Sequence, residues 1–264
     1  MDLGLKGKRA LVTGSTAGIG LATARALAEE GAQVTVNGRT AERVRAAVQA
    51  LEREVPGARV AGVAADLGTA DGCAALTRQV PEVDILVNNV GIFEPKPFEE
   101  IPDQDWFRFF ETNVMSGVRL TRHHLPGMRQ RNWGRIVFVS SESALQIPVE
   151  MVHYGMTKTA QIAIARGVAE SLVGTGVTVN SVLPGPTDSE GVGEFITRLA
   201  ESGGTDPAGA EREFFATARP SSILQRFATT DEVAAMIVYV CSAKASATTG
   251  AALRVDGGVV RAIP

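Results

Sequence analysis

Cysteine is nearly absent: the 264 residues hold two, Cys73 and Cys241, far apart and each in Ala-rich, helix-like surroundings. Such a pair offers no disulfide framework and no metal-ligand spacing, and reads as two buried free thiols. An excess of one charge is lacking as well. Lys and Arg number 26 against 29 Asp and Glu, giving a net charge of −3 and a pI near 5.7, so nothing pulls the chain as a whole toward nucleic acid or an anionic membrane. No uninterrupted apolar run approaches the ~20 residues that cross a bilayer. The start, MDLGLKGKRALVTG, passes into a strand-like segment without the apolar stretch and small-residue cleavage site of a signal peptide. A cytoplasmic location is the expectation.

What is present is a globular composition, 45% hydrophobic and 21% charged. Short apolar runs recur: RALVTG, QVTVNG, RVAGVAAD, DILVNN, RIVFVSS, VTVNSVLPG and ALRVDGG. Several are too continuously apolar for a half-exposed sheet, which suggests strands covered on both faces. Helical patterns lie between them at about 18–30, 40–54, 70–79, 103–130, 150–173 and 230–242. Alternating strands and helices predict one α/β domain over 1–264, a Rossmann-like doubly wound parallel sheet of about seven strands with helices on both faces. A long insertion at about 186–222 interrupts the pattern; it contains SGGTDPAGA, a poor candidate for fixed core, between two short helices expected at 192–201 and 209–218. Its place late in the domain suits either a lid over a site or a surface loop.

The first strand ends in TGSTAGIG, where Gly14, Gly18 and Gly20 lead into a helix. Glycines at a strand-to-helix turn admit a pyrophosphate to the backbone, where the helix N-terminus meets its charge, although the spacing departs from G-x-G-x-x-G. A dinucleotide site usually places a carboxylate about 20 residues on, against the ribose. Here the second strand ends VTVNGRT, with Arg39 where a 2′-phosphate would lie, which favours NADP(H) and leaves NAD(H) open. Asp66 could bond the adenine or cap the next helix.

Further along, HYGMTK sets Tyr154 and Lys158 four residues apart. On a helix they share a face one turn apart. A cation beside a phenol favours phenolate, lowering a pKa of roughly 10 toward a value useful in proton transfer. Two solvated residues would show the same spacing.

With TGSTAGIG early, YGMTK past the middle, NNVG at 88–91, Asn113 in ETNV, Ser141 thirteen places before Tyr154, PGPT at 184–187 and VDGG near the end, the whole chain resembles the short-chain dehydrogenase/reductase family. It looks like the compact single-domain type to which the 3-oxoacyl-carrier-protein reductases belong. The resemblance implies an NAD(P)-dependent oxidoreductase that interconverts a ketone and a secondary alcohol. In it Tyr154 would be the general acid/base and Lys158 would tune the phenol and hold the nicotinamide ribose. Ser141, with Ser140 and Ser143 as rivals, would bond the substrate oxygen; Asn113 would bend its helix and anchor a water leading to Lys158. Gly14, Ser15, Gly18, Ile19, Gly20, Arg39, Asp66, Leu67, Asn89, Gly91, Tyr154, Lys158, Pro184, Gly185 and Thr187 would contact the cofactor. Phe93, Ser143, Leu145, Met151 and Leu183 would line the substrate together with residues of the insertion, whose charges, Glu190, Glu194, Arg198, Arg212 and Arg219, could favour a more polar substrate. Two departures stand out: Val90 replaces a common alanine, and Ala17 stands where NADP-preferring relatives carry a basic residue, leaving Arg39 unsupported.

The expected partner is a small carbonyl or alcohol compound, neutral or mostly apolar, with no metal, nucleic acid or membrane. A homotetramer, or else a dimer, follows from the same resemblance. The alternative is a catalytically silent NADP-binding sensor or scaffold. RLTRHHLPGMRQRNWGR, 119–135, is locally basic but offers no aromatic platform.

Overall fold

The computed structural model describes residues 1–263, apart from the side chains of residues 194, 195, 199, 202 and 203. Seven strands form one parallel sheet: β1 (Arg9–Val12), β2 (Gln33–Gly38), β3 (Arg59–Ala64), β4 (Ile85–Asn88), β5 (Gly134–Val139), β6 (Val177–Pro184) and β9 (Ala252–Val255). Their order is β3-β2-β1-β4-β5-β6-β9, every neighbouring pair parallel. Connections run one way from β1 to β3 and the other way from β4 onward, so β1 and β4 part at their C-terminal ends, where such sheets open a crevice. A two-stranded parallel piece, β7 (Thr187–Asp188) with β8 (Ala228–Thr229), lies beyond.

Each apolar run named above became a strand. β4, β5 and β6 are buried throughout, as their continuous patterns require, whereas β3 is the sheet edge and mostly exposed. Helices α1 (Gly18–Glu29) and α9 (Thr230–Cys241) pack with the sheet around Leu27, Val34, Val36 and Ile237. On the other face α3 (Ala70–Gln79), α5 (Ser116–Gln130) and α6 (Val152–Glu170) close over Leu76, Leu86, Leu120, Phe138 and Val179. Helix α2 (Ala41–Glu54) starts on Thr40, whose hydroxyl accepts the Arg43 amide.

The insertion is ordered helix. α7 (Glu190–Gly203) ends on Gly204 in the left-handed region (φ +62°), and α8 (Pro207–Thr217) begins with Pro207 behind Asp206, whose carboxylate accepts the Gly209 amide. GGTDP is therefore a helix stop followed by a helix start, and not the loose stretch its composition suggests. Ile196, Ala200 and Ala210 pack with Phe214 and Phe227 to hold the two helices together. Among the described residues, no helix is long and apolar enough to cross a membrane.

Candidate active site

At the β1/β4 opening lies a cleft of about 630 Å³, lined by Gly14 and Thr16 of the first turn, Asn37 to Thr40 and Arg43 after β2, Ala65 to Gly68 after β3, and Asn89 to Ile92 after β4. The glycine turn is built for close approach. Gly14 holds φ +58°, and a Cβ on Gly20 would stand 2.4 Å from the Gly14 carbonyl oxygen. Asn89 braces the turn, its amide donating to the Thr13 and Gly14 carbonyls. α1 starts at Gly18 behind Ala17, which provides no side-chain cap, and no acid occupies its first turn. Its leading N–H groups are left for an anion. A cradle that tolerates no Cβ and an uncapped twelve-residue helix together fit a dinucleotide's pyrophosphate.

The expected cofactor residues do not all reach this cleft. Gly14, Arg39, Asp66, Leu67, Asn89 and Gly91 line it, and Ile19, Pro184, Gly185 and Thr187 line the adjoining cavity. Ser15 is wholly buried, its hydroxyl donating to Val12 and accepting from the Asn37 amide, so it shapes the turn from inside while Thr16 faces the cleft. Asp66 does not cap α3. That role belongs to Thr69, whose hydroxyl accepts the Gly72 amide, while Asp66 bonds the Gly68 amide at the cleft wall. Arg39 is not alone, because Arg43 lines the same cleft and pairs with Glu190 of α7. An arginine four residues after Arg39 was the available signal.

A second cavity, about 450 Å³, shares Asn89, Gly91 and Ile92 with the cleft and runs under α7 and α8. Ser141, Tyr154 and Lys158 meet on its wall. α6 brings the last two: His153, Thr157, Gln161 and Ala165 form its buried stripe, seating the helix so that Tyr154 and Lys158 share the adjoining face. Lys158 is 4% exposed; its ammonium donates to the Val139 carbonyl at 2.9 Å and lies 5.6 Å from the Tyr154 ring centroid. Burial pulls Lys158 down to about 8. His153 is structural, packed on Phe109 with centroids 4.0 Å apart.

Asn113 lies in a π-helical turn, Glu111–Met115, set between α4 (Asp103–Phe110) and α5. Its side chain accepts the Ile92 amide and donates to the Ile92 carbonyl and the Thr157 hydroxyl, while its own carbonyl takes the Gln161 amide at 2.6 Å. It thereby pins the strand of chain after β4 to α6. Ser140 bonds the Lys158 carbonyl, which removes it as a rival to Ser141, and Ser143 lines the cavity. Phe93 and Met151 line it too. Leu183 and Leu145 do not: the first is sealed inside β6, the second 46% exposed on the outer surface. Of the insertion's charged residues only Arg219 lines the cavity; Glu194 lies outside the described side chains.

One expectation is reversed. The phenol of Tyr154 is pushed above its ordinary value, first by burial and then by the charge of Glu142; Ser141 and Arg219 pull it back only in part. Glu142 and Glu150 were not among the sequence candidates, yet both line the cavity. An acid directly after the serine in SSES was the visible sign.

A cleft shaped for a dinucleotide, opening onto a cavity where a serine, a tyrosine and a lysine converge, defines a nicotinamide-dependent type of site. Residues 8–199 match the family model "short chain dehydrogenase", and the chain belongs to that family. It is 49% identical over its whole length to the uncharacterized oxidoreductase YvaG of Bacillus subtilis, itself fully covered. It is 32% identical to the 3-oxoacyl-[acyl-carrier-protein] reductase FabG of Aquifex aeolicus, with 98% of this chain and 100% of that one aligned. The fold superposes on L-sorbose reductase from Gluconobacter frateurii, solved with NADPH and L-sorbose, with a TM-score of 0.94, 33% identity and complete coverage of both chains. Identities of 32% and 33% to such different reductases support the family and single out no subtype.

Proposed function

We propose that the protein interconverts a ketone and a secondary alcohol, with NADP(H) favoured over NAD(H). The observation that carries this is the convergence of Ser141, Tyr154 and Lys158 where the substrate-sized cavity meets the nucleotide cleft. When bound, the dinucleotide supplies or accepts the hydride. Tyr154 keeps its proton at neutral pH, because burial and Glu142 raise its proton affinity, and it gives that proton to a carbonyl oxygen. Ser141 fixes the reacting oxygen. Lys158 holds the ribose hydroxyls, and Asn113 keeps Ile92 and α6 in register beside them.

Two features support NADP(H). No acid ends β2, and Arg39 has no ion-pair partner among the described residues, with Arg43 one turn away. Residues 186–222 act as a lid, α7 and α8 roofing the cavity with Val192, Phe214 and Arg219. A cavity with Ile92, Phe93, Met151 and Phe214 on its walls suits an uncharged substrate, in keeping with the neutral sugar in the sorbose reductase complex. The working form is a homotetramer, for which the exposed rings of Phe107 and Phe110 on α4 offer contact surface.

Titration with NADPH and NADH, followed by a panel of ketones monitored as loss of reduced cofactor, tests this. Tight NADPH binding with turnover of a panel member is expected; failure to bind either dinucleotide overturns it.

A further inference from the structure

Besides Lys158, the substrate cavity carries three charged residues, Glu142, Glu150 and Arg219, on walls that also include Ile92, Phe93 and Met151. Glu142 is 5% exposed and Arg219 8% exposed. One oxygen of Glu142 accepts the Arg219 Nε at 3.1 Å, and the other accepts the Ser141 hydroxyl at 2.5 Å. Nη1 of Arg219 donates to the Ala218 carbonyl at 2.7 Å and to Glu150 at 3.3 Å. These anchors fix the planar guanidinium. Its Nη2 has no acceptor among the described residues and is not sealed within the protein. Apolar residues of equal bulk would serve stability as well or better. What the buried pair adds is hydrogen-bonding capacity beside the reacting centre.

A serine hydroxyl has one proton. The Ser141 oxygen is held by the Ser143 amide at 3.1 Å, while its proton goes to Glu142, since a carboxylate on a guanidinium has none to give. When Ser141 turns that proton to the reacting carbonyl oxygen, one oxygen of a buried carboxylate loses its donor, which is unfavourable unless another donor arrives. Both acceptors lie one hydrogen bond from the same serine oxygen, a separation that a hydroxyl on the carbon next to the carbonyl bridges. Nη2 of Arg219 supplies a donor for a second substrate oxygen. Two carboxylates share this guanidinium, and Lys158 is turned to the Val139 carbonyl. A substrate carboxylate or phosphate would therefore meet charge of its own sign. We propose that the substrate is a neutral polyhydroxy ketone: Glu142 accepts a hydrogen bond from the hydroxyl next to the carbonyl, and Arg219 donates to a hydroxyl oxygen further along. This rests on the function proposed above and names its substrate class, with Glu142 and Arg219 as the residues that set specificity. The insertion takes part directly, because Arg219 follows α8.

Four ketones of equal carbon count make the test: butanone without a hydroxyl, acetoin with one beside the carbonyl, erythrulose with several, and acetoacetate with a carboxylate. With NADPH, kcat/KM should rise about tenfold or more from butanone to acetoin. It should rise again with erythrulose, and acetoacetate should trail acetoin. The double variant Glu142→Met/Arg219→Met replaces the pair with apolar bulk and should bring the acetoin-to-butanone ratio to within about threefold of unity. A purely structural role would move both substrates together and leave the ratio where it was. Should the double variant fail to fold, Glu142→Gln keeps the shape, turns an amide donor toward the hydroxyl, and should lower the ratio several-fold. An unchanged ratio in the folded variants, or a wild type that prefers butanone or acetoacetate to acetoin, overturns the proposal. Saturation-transfer NMR of acetoin and butanone on Tyr154→Phe with NADPH, with and without Glu142→Gln, follows recognition without turnover. Preference for acetoin that disappears with Glu142→Gln supports the proposal, and no preference in either protein overturns it. Absence of turnover in wild type with any ketone would count against the proposed function, and the NMR comparison would still decide whether Glu142 recognises the hydroxyl.

Discussion

Replacing Lys158 with methionine should make the free protein more stable while removing its activity. The ammonium is buried and its proton affinity has dropped from 10.5 to about 8. The difference of 2.5 units, at 1.36 kcal/mol each, means that charged Lys158 costs the folded state about 3 kcal/mol at pH 7. Methionine fills a similar volume without that cost, but it leaves the Val139 carbonyl without the donor it now has, which takes back about 1–2 kcal/mol. A net gain of about 1–2 kcal/mol is expected at pH 7, with each kcal/mol raising Tm by about 2–4 °C in a chain of this size. The pH dependence is the sharper test. Between pH 8 and 10.5 the unfolded chain binds the proton that the folded chain has lost, so wild-type stability relative to the variant rises through that window. The gap should be full below pH 8 and should close, then reverse by the lost hydrogen bond, near pH 10.5. Thermal unfolding of dinucleotide-free protein at pH 7 and pH 10, followed by circular dichroism, measures both ends. A variant less stable than wild type at pH 7, or a gap that ignores pH, would refute the reasoning.

Tyr154→Phe should leave NADPH affinity intact and reduce kcat by about 10²–10⁴-fold, measured by fluorescence titration beside steady-state rates; near-normal turnover would remove Tyr154 as the proton donor. Arg39→Ala should weaken NADPH far more than NADH, with Arg43→Ala a smaller effect in the same direction, and equal losses for the two dinucleotides would reject the 2′-phosphate assignment. Gly20→Ala places a methyl 2.4 Å from the Gly14 carbonyl oxygen, so both dinucleotides should bind at least about tenfold less tightly, with little change in affinity ratio. Light scattering after size exclusion should give a tetramer for wild type and a smaller species for Phe107→Glu, whose wild-type ring is 74% exposed.

The fold was legible because each strand of the main sheet is a short apolar run and several helices carry a capping residue at their start, Thr40 for α2, Thr69 for α3 and Thr229 for α9. The seven runs became seven parallel strands, and the helical boundaries fell within a few residues of their expected places. Two details escaped. The single helix expected over 103–130 is interrupted by a π turn at Glu111–Met115, since a one-residue bulge alters hydrogen-bond register without disturbing apolar periodicity. By composition the insertion looks loose, with glycine, threonine, aspartate and proline in succession. Taken in order they cap one helix and start the next, with Gly204 in the left-handed region and Asp206 beneath Pro207.

In the site, the sequence revealed which residues meet and not the field they meet in. Tyr154 and Lys158 share a helix face through spacing alone, and local geometry guarantees that much. Whether the cation lowers the phenol depends on where each head group ends up. Here the ammonium turns to the Val139 carbonyl, and the phenol answers first to burial and then to Glu142, a residue placed opposite it by a short turn. Leu183 and Leu145 show the same limit, since strand parity and turn shape decide which side of a wall a side chain takes, and one-residue errors put it inside the sheet or out in solvent. Arg219 is the extreme case. Seventy-seven residues separate it from Glu142, so no local pattern could join them, yet that contact connects the insertion to the serine. A sequence motif identifies the atoms that move a proton; the long-range packing around them determines how tightly that proton is held.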